Sequence, residues 1–411
     1  MTPRTAEGIT AADRIAARLA EAQSVPDAAN QRWQAQSLSR GPGGVALLHI
    51  ERAHTGSSSW ETAHTLVKAA TSTQISAADD VGLYIGAPAI SFVLHAAGAD
   101  GVSRYRTAQT RLDEHVIRLV HRRVDAALAR INRGEPAEFA EYDLFYGLTG
   151  IGALLLRFLP GSDALGRILS YLVRLTVPPR GDESREVPGW WVTHDPDPIL
   201  PTPGGHANLG LAHGISGPLA LLALATRRGI VVDRHLEAIE RICDHLDRWR
   251  QESDSGPWWP QWIGREELRI GVPRQPGPGR PSWCYGTPGL VRAQQLAAIA
   301  TRDTTRQLLA EKALVACLND PCQLERLTDI GLCHGWAGLY QTASRAAADA
   351  LRPDIGEKLP YLAERLVRCA DNTERDPDGF LDGAVGLALA LHGATRTAPP
   401  ISGWDSCLLI A

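Results

Sequence analysis

The chain has 411 residues, with 42 Lys or Arg and 46 Asp or Glu, which gives a formal net charge of −4 at pH 7. This near-balance argues against a nucleic-acid partner and against a surface for anionic membranes. No apolar run approaches the roughly 20 residues that a membrane-spanning helix needs. The opening segment MTPRTAEGITAADRIAARLAEAQ is rich in Ala and Arg and has no apolar centre, so we expect no secretory signal and a cytoplasmic location.

Seven segments share the pattern Gly-x-x-Gly followed by an apolar run at helical spacing, with Ala replacing the second Gly in one of them. In chain order they are SRGPGGVALLHIERA, LYIGAPAISFVLHAA, FYGLTGIGALLLRFL, AHGISGPLALLALA, CYGTPGLVRAQQLAAIA, CHGWAGLYQTASRAAADA and LDGAVGLALALHGA. Glycine at these positions permits a left-handed or tight backbone between two helices, and it lets neighbouring turns approach closely. The pattern therefore indicates an internal repeat.

The first glycines of the seven copies lie 45 to 72 residues apart, which leaves room for two helices per unit. Runs between them, such as QTRLDEHVIRLVHRRVDAALARI and DRHLEAIERICDHLDRWRQ, carry apolar residues on one helical face and charges on the other. Alternating β-branched runs are almost absent. We predict an all-α protein folded as an α/α toroid, with seven apolar inner helices and seven amphipathic outer helices.

We expect residues 1–411 to form one domain of this kind. Two long stretches, 178–206 and 251–281, interrupt the repeat and contain the tryptophan-rich segments VPGWWVTHDP and SGPWWPQWIG. We interpret them as inserted loops near the mouth of the toroid. Such loops either line a binding cleft or fold over the rim.

Chemically active side chains recur at two positions of the repeat. The position just before the first glycine holds Tyr146, His213, Tyr285, His334 and Asp382. The position before that holds Phe145, Ala212, Cys284, Cys333 and Leu381. If the inner helices run parallel, Cys284, Cys333 and His334 meet at one mouth of the toroid, with His213 beside them. Two cysteines and a histidine suit a zinc site with a fourth position open to substrate.

Each of the other candidates has a plainer interpretation. The seven cysteines make a poor disulfide framework, and those in helical patterns are expected to be buried thiols. His213 is either a catalytic group or a hydrogen-bonded core histidine. Asp143, four residues before Gly147, is either part of the site or a helix cap. Arg280 is either a substrate-binding cation or a loop charge in solvent.

Four motifs in order, YDLFYGLTG, AHGISG, SWCYGTPG and LCHGWAG, resemble those of the LanC family of lanthionine cyclases. The resemblance covers nearly the whole chain, and the family's α/α toroid agrees with the repeat. It implies one catalytic Zn²⁺ per chain, bound by Cys284, Cys333 and His334. It implies further that His213 is the general acid or base, and that Asp143, Arg280 and Tyr285 occupy the remaining active-site positions. The family's small Src-homology-2-like insertion is not clearly matched by either inserted stretch.

The resemblance also implies a reaction and partners. The substrate is a precursor peptide whose Ser and Thr have been dehydrated to dehydroalanine and dehydrobutyrine by a dehydratase. A peptide cysteine thiolate, activated by zinc, adds to the β-carbon of the dehydro residue. His213, oriented by Asp143, transfers the proton, while Arg280 or Tyr285 stabilises the enolate oxygen. The product is a lanthionine or methyllanthionine ring. Association with a membrane transporter complex would place the enzyme peripherally at a membrane.

Two alternatives remain from the sequence. LanC-like relatives have been linked to glutathione, so the chain could be a thiol-binding protein. Protein prenyltransferases also combine an α/α toroid with a zinc thiolate. Their zinc set includes an aspartate, however, and they need basic residues for a diphosphate, whereas this chain offers two cysteines and a histidine.

Overall fold

The computed structural model describes residues 3–22, 32–178, 187–196, 199–371, 373, 377–396 and 398–411. Most of these residues are helical. In chain order the helices are α1 (Pro3–Ala22), α2 (Arg32–Ala35), α3 (Pro42–His54), α4 (Trp60–Ala70), α5 (Gly86–Ala97), α6 (Arg106–Arg133), α7 (Phe139–Tyr142), α8 (Leu148–Phe158), α9 (Asp163–Leu175), α10 (Ser216–Arg227), α11 (His235–Arg248), α12 (Arg265–Ile270), α13 (Thr287–Thr301), α14 (Thr304–Asn319), α15 (Pro321–Leu324), α16 (Trp336–Asp349), α17 (Leu359–Ala370) and α18 (Ala384–Ala394). Short 3-10 helices cover Gly356–Lys358 and Trp404–Leu408.

Seven helices form a closed inner ring. Each begins at the first glycine of a repeat copy or within two residues after it. Around the ring the order is α3, α5, α8, α10, α13, α16 and α18, and α18 packs back against α3. These helices are apolar on nearly every side, and residues such as Leu154, Leu221 and Leu389 are fully buried. A helix that is apolar all round is stable only where other elements cover it completely.

Seven further helices cover the inner ring from outside. They are α1, α4, α6, α9, α11, α14 and α17. In α11, Ile239, Ile242 and Leu246 are buried, whereas Glu237 and Asp244 on the other face are exposed. The alternation of apolar and amphipathic segments along the sequence thus becomes an alternation between two layers. The predicted α/α toroid of seven inner and seven outer helices is confirmed.

Main-chain hydrogen bonds join the turns that precede neighbouring inner helices. The donor and acceptor pairs are Leu144 N to Ala212 O, Ala212 N to Cys284 O, Cys284 N to Cys333 O, Cys333 N to Leu381 O, Phe380 N to Ser39 O and Leu38 N to Tyr84 O, at 2.8 to 3.2 Å. The bond between Phe380 and Ser39 connects the last repeat to the first. Equivalent positions of successive repeats therefore lie side by side at one end of the ring.

Two small antiparallel sheets lie near that end. β1 (His206–Asn208) pairs with β4 (Trp262–Gly264), and β2 (Gln251–Ser253) pairs with β3 (Gly256–Trp258). The strands and α12 belong mostly to the stretch 251–281, while residues 179–186 and 197–198 of the other stretch lie outside the described residues. The assignment of both stretches as insertions in a single domain stays a prediction.

Most of the segment 402–410 is buried, and its 3-10 helix packs against α8. Asp405, which is fully buried, accepts hydrogen bonds from Gln341 and Arg345 of α16. Carbonyl oxygens of this segment also accept from Arg292 on α13 and from Tyr84 and Trp283 in the turns before α5 and α13. Among the described helices, none is both long enough and apolar enough to cross a membrane.

Candidate functional site

Two cysteines and a histidine come together at the end of the ring where the inner helices begin. The ligand atoms of Cys284, Cys333 and His334 all lie within 4.8 Å of one another. Cys284 precedes α13, and Cys333 and His334 precede α16, the next helix in the ring. The backbone N–H of Cys284 donates to the carbonyl of Cys333 at 3.2 Å, which fixes the two turns side by side. Residues 49 positions apart in the chain thereby become neighbours.

The electrostatics of this cluster favour a thiolate at Cys284. A hydrogen bond from the Cys333 thiol, with a further contribution from the His334 imidazole, holds the pKa of Cys284 well below its usual range. The same contact, together with burial, raises the pKa of Cys333. The interaction with Cys284 also raises the pKa of His334. The positive end of the macrodipole of α13 contributes in the same direction at Cys284.

The donor set suits a zinc ion. Thiolate sulfur and imidazole nitrogen are ligands that Zn²⁺ prefers, and three protein ligands are typical of a catalytic site with a fourth position open. No other group of three metal-ligating side chains occurs in the part of the chain that the structure describes. The role of these residues as ligands stays a prediction.

A histidine and an aspartate form a second group beside the cluster. His213 Nδ1 lies 2.6 Å from Asp143 Oδ2. The other carboxylate oxygen, Asp143 Oδ1, accepts from the backbone N–H groups of Tyr146 and Gly147 at 2.7 Å each. Asp143 therefore closes the turn that leads into α8 and orients His213 at once. His213 is not a closed core residue, because 23% of its side chain is exposed.

Aromatic rings surround the imidazole of His213. Those of Phe139 and Phe145 have centroids 5.4 Å and 4.9 Å from it, and those of Tyr146 and Tyr285 lie at 6.2 Å and 6.1 Å. Phe139 comes from the short helix α7, outside the repeat copies. The rings restrict the orientation of His213 and limit the access of water to it.

Arg280 is held beside the metal-ligating cluster. Its Nη1 lies 3.1 Å from Asp329 Oδ2, and the same oxygen lies 3.6 Å from His334 Nε2. The side chain is 38% exposed, so the guanidinium keeps a face toward solvent. Arg280 is thus an anchored cation at the site and not a free loop charge.

Tyr285 presents a protonated hydroxyl. Burial raises the pKa of its phenol, and the hydroxyl oxygen accepts a hydrogen bond from Asn208 Nδ2 at 3.2 Å. Asn208 lies on β1, next to the turn that carries His213. Since the oxygen is the acceptor in this bond, the O–H of Tyr285 remains available as a donor.

Asn208 and Asp329 were not among the site residues predicted from the sequence. They share a repeat position with Arg280, because each lies six residues before the first glycine of its copy. Comparing only the two residues just before each glycine could not reveal this third shared position. Phe139 lies outside the repeat register, so no such signal marks it.

Comparison with known proteins agrees with this architecture. The profile of the family described as "Lanthionine synthetase C-like protein" matches residues 32–409. The nisin biosynthesis protein NisC of Lactococcus lactis subsp. lactis is 24% identical over 316 residues, which is 75% of this chain and 72% of that protein. A solved structure of nisin cyclase superposes with a TM-score of 0.81 at 20% identity, covering 97% of this chain and 96% of that one. The structural likeness supports the toroid fold. Because the family match spans nearly the whole sequence, the chain belongs to the lanthionine synthetase C-like family.

Proposed function

We propose that this lanthionine synthetase C-like enzyme is a zinc-dependent lanthipeptide cyclase. It would join a cysteine of a dehydrated precursor peptide to dehydroalanine or dehydrobutyrine, forming a lanthionine or methyllanthionine ring. The observation that supports this most strongly is the convergence of Cys284, Cys333 and His334 beside the pair formed by His213 and Asp143.

Cys284, Cys333 and His334 would hold the zinc ion, which when bound lowers the pKa of a substrate thiol. The low pKa of Cys284 fits a ligand that is already a thiolate before the metal binds. The metal affinity of such a site depends on deprotonation of its ligands. A Cys284 that is already a thiolate therefore favours zinc binding near neutral pH.

The proton moves between the substrate atoms through His213. Nδ1 of His213 faces Asp143, which leaves Nε2 for the substrate. We expect Nε2 to take the proton of the substrate thiol and return it to the α-carbon after sulfur has added to the β-carbon. The sulfur lone pair forms the new C–S bond, and the π electrons of the double bond move into an enolate with negative charge on the carbonyl oxygen. When the α-carbon takes the proton, the enolate collapses and the new C–H bond forms. No further reactant is needed.

Two donors would stabilise the enolate oxygen. The guanidinium of Arg280 is positioned by Asp329, and the hydroxyl of Tyr285 stays protonated because burial raises its pKa. Donors that are fixed before the reaction stabilise developing charge more than mobile ones do.

The substrate's chemistry also determines the partners. Dehydro residues arise by elimination of water from Ser or Thr, so a dehydratase must act before this enzyme. We propose a cytoplasmic location, where peptide thiols stay reduced, with peripheral association to a membrane transporter complex.

The test is incubation of the purified enzyme with a dehydrated Cys-containing peptide, followed by thiol alkylation and mass spectrometry. Ring closure leaves the peptide mass unchanged but removes its alkylable thiols. Unchanged alkylation after prolonged incubation would contradict the proposal. With glutathione present, a product carrying added glutathione would instead favour the thiol-conjugating alternative.

Zinc dependence has its own test. Cys333→Ala removes one of three ligands, so we expect the zinc content to fall from one ion per chain to nearly none, together with cyclisation. Cys322→Ala is the matched control, because Cys322 is exposed on α15. Full zinc in purified Cys333→Ala would show that the ligands are assigned wrongly.

A further inference from the structure

A groove of about 720 Å³ lies beside the candidate site. One wall is formed by residues 200–203, a second by 261–267 with Trp262 on β4, and a third by the loop 274–279. Arg326 also lines the groove. Its volume lies within the range of about 300–1,000 Å³ found for ligand-binding clefts.

The groove runs into the candidate site at two places. The ring of Trp262 lies 6.4 Å from the ring of Tyr285, nearly perpendicular to it. The loop 274–279 continues directly into Arg280, which is anchored on Asp329 next to His334. A chain that occupies the groove therefore approaches the residues proposed for catalysis.

Three arginines give the groove a positive surface. Arg265, Arg274 and Arg326 are exposed, and among the described residues none of them forms an ion pair with a carboxylate. Arg265 lies over the ring of Trp191, and Arg326 donates to the carbonyl of Pro278, so Arg274 has the least engaged guanidinium of the three. The two acidic residues of the wall have partners: Glu266 binds Arg269 through both oxygens, and Glu267 accepts from two backbone N–H groups. A carboxylate from a bound ligand could therefore form ion pairs with these arginines that no carboxylate of the chain provides.

The walls are preformed by hydrogen bonds. Thr202 donates to Asp195 from both its backbone N–H and its hydroxyl. Gln275 accepts from the backbone of Gln261 at 3.0 Å and donates to the carbonyl of Gly277 at 2.7 Å, which ties the loop to β4. A preformed groove binds a ligand with less loss of conformational entropy than a mobile one.

The lining also contains apolar surface. Leu200 is 51% exposed at the lip, and Pro201, Pro203, Pro276 and Pro278 line the walls. A nucleic acid would need a larger basic surface, and the chain as a whole carries a net charge of −4. Mixed apolar and cationic walls suit an extended peptide that has both apolar and acidic side chains.

We infer that this groove binds an acidic segment of the precursor peptide, flanking the residues that form the ring. The inference rests on the proposed function for the identity of the peptide. The Asp or Glu side chains of this segment would hold the peptide near Cys284 and His213. The peptide's cysteine and dehydro residue would then need few contacts of their own with the enzyme.

Binding can be tested without any reaction. The probe is a fluorescein-labelled 16-residue peptide with four Glu among Leu and Ser, without Cys or dehydro residues, compared with the same peptide carrying Gln for Glu. At low salt we expect the wild-type enzyme to bind the acidic peptide about fivefold more tightly in fluorescence anisotropy. In Arg265→Glu/Arg274→Glu this preference should disappear, whereas Arg111→Glu on α6 should keep it.

Equal binding of both peptides by the wild type, or an unchanged preference in the double variant, would overturn the inference. So would tighter binding of a single-stranded oligonucleotide of matched charge. Each variant's far-UV circular dichroism and melting temperature verify that it is folded.

A kinetic experiment separates this inference from the proposed function. The substrates are two dehydrated Cys-containing peptides, one with four Glu beside the reactive part and one with Gln there. We expect Arg265→Glu/Arg274→Glu to raise KM about fivefold for the Glu peptide, with kcat unchanged and with no effect on the Gln peptide. If the wild type cyclises neither peptide, the proposed function fails while the anisotropy result still decides whether the groove binds acidic peptides. An equal effect on both peptides would overturn the inference alone.

Discussion

At the scale of single residues, Asp143 serves two structures with one carboxylate. One oxygen satisfies backbone N–H groups at the start of α8, and the other holds His213. The orientation of the imidazole is therefore coupled to the turn that leads into α8. An amide at this position would keep the hydrogen bonds to this turn but would donate to Nδ1 of His213 and change its tautomer.

We expect Asp143→Asn to lower kcat for cyclisation by about a thousandfold, because Nε2 of His213 would then carry the proton and could not accept one. His213→Asn should lower kcat similarly, and both variants should retain one zinc per chain by atomic absorption. Normal turnover by His213→Asn would remove that residue from proton transfer. Loss of zinc in either variant would show a structural role instead.

Much of the candidate site follows from the repeat register. Cys284 and Cys333 each lie two residues before the first glycine of a copy, and His334 lies one residue before it. In a closed ring of repeats, equivalent positions of neighbouring copies lie close together. Asp329 could also have been found in this way, because it lies six residues before its glycine, as Arg280 does. Phe139 could not, because its role depends on a side-chain contact at the mouth and it comes from a four-residue helix without periodicity.

At the scale of the elements, the turns before the inner helices depend on close backbone packing. Gly335 has a φ of −117°, which any residue can adopt. A Cβ at this position would lie 2.5 Å from the carbonyl oxygen of Asp329 and 2.5 Å from the backbone nitrogen of Gly331. The glycine is thus required here by the approach of the preceding turn and not by a left-handed conformation. The same turn positions Asp329 against Arg280.

We expect Gly335→Ala to reduce the free energy of unfolding by about 2 kcal/mol, since the turn must move to admit the methyl group. Zinc affinity should fall as well, because Cys333 and His334 belong to the same turn. Gly356→Ala is the control: no atom lies within 4 Å of the Cβ position and φ is not positive, so it should be neutral or slightly stabilising. Urea unfolding and zinc titration measure both effects. Equal stabilities of the two variants would contradict this account.

The layers of the fold were predictable because apolar and amphipathic helices differ in periodicity over 10 or more residues. The strands β1 to β4 could not be predicted from the sequence, because each has only three residues and its pairing depends on tertiary packing. The groove lined by β4 and α12 could not be derived from the sequence for the same reason.

At the scale of the whole molecule, four histidines with lowered pKa values make stability depend on pH. Burial lowers the pKa of His49, His206, His245 and His392 to about 4 in each case. His49 shows the arrangement: Ser58 Oγ lies 3.0 Å from its Nδ1 and the carbonyl of Ala16 lies 3.2 Å from its Nε2, which suits a neutral ring. In the unfolded chain these groups titrate near the ordinary value of about 6.5.

Between pH 6.5 and about 4 the unfolded chain therefore binds more protons than the folded one, and stability falls as the pH is lowered through this window. Each histidine contributes a slope of up to about 1.4 kcal/mol per pH unit, and none above pH 7. We expect urea unfolding to show this decline between pH 6.5 and 5, before most carboxylates titrate. His392→Gln should make it shallower, whereas a free energy of unfolding that is level from pH 7 to 5 would contradict the prediction.

The main-chain bond between Cys284 and Cys333 has a consequence for how such a protein can diversify. The separation of the two sulfurs is set by adjoining backbones of the ring, so it does not depend on the length of the loops that leave the ring elsewhere. The part of 251–281 that precedes Arg280 can lengthen, shorten or be exchanged between homologues while Cys284, Cys333 and His334 stay in place. On the inference that the groove binds the precursor peptide, substrate preference and reactivity belong to separate parts of one polypeptide, and grafting a foreign loop becomes a route to new ring-forming catalysts.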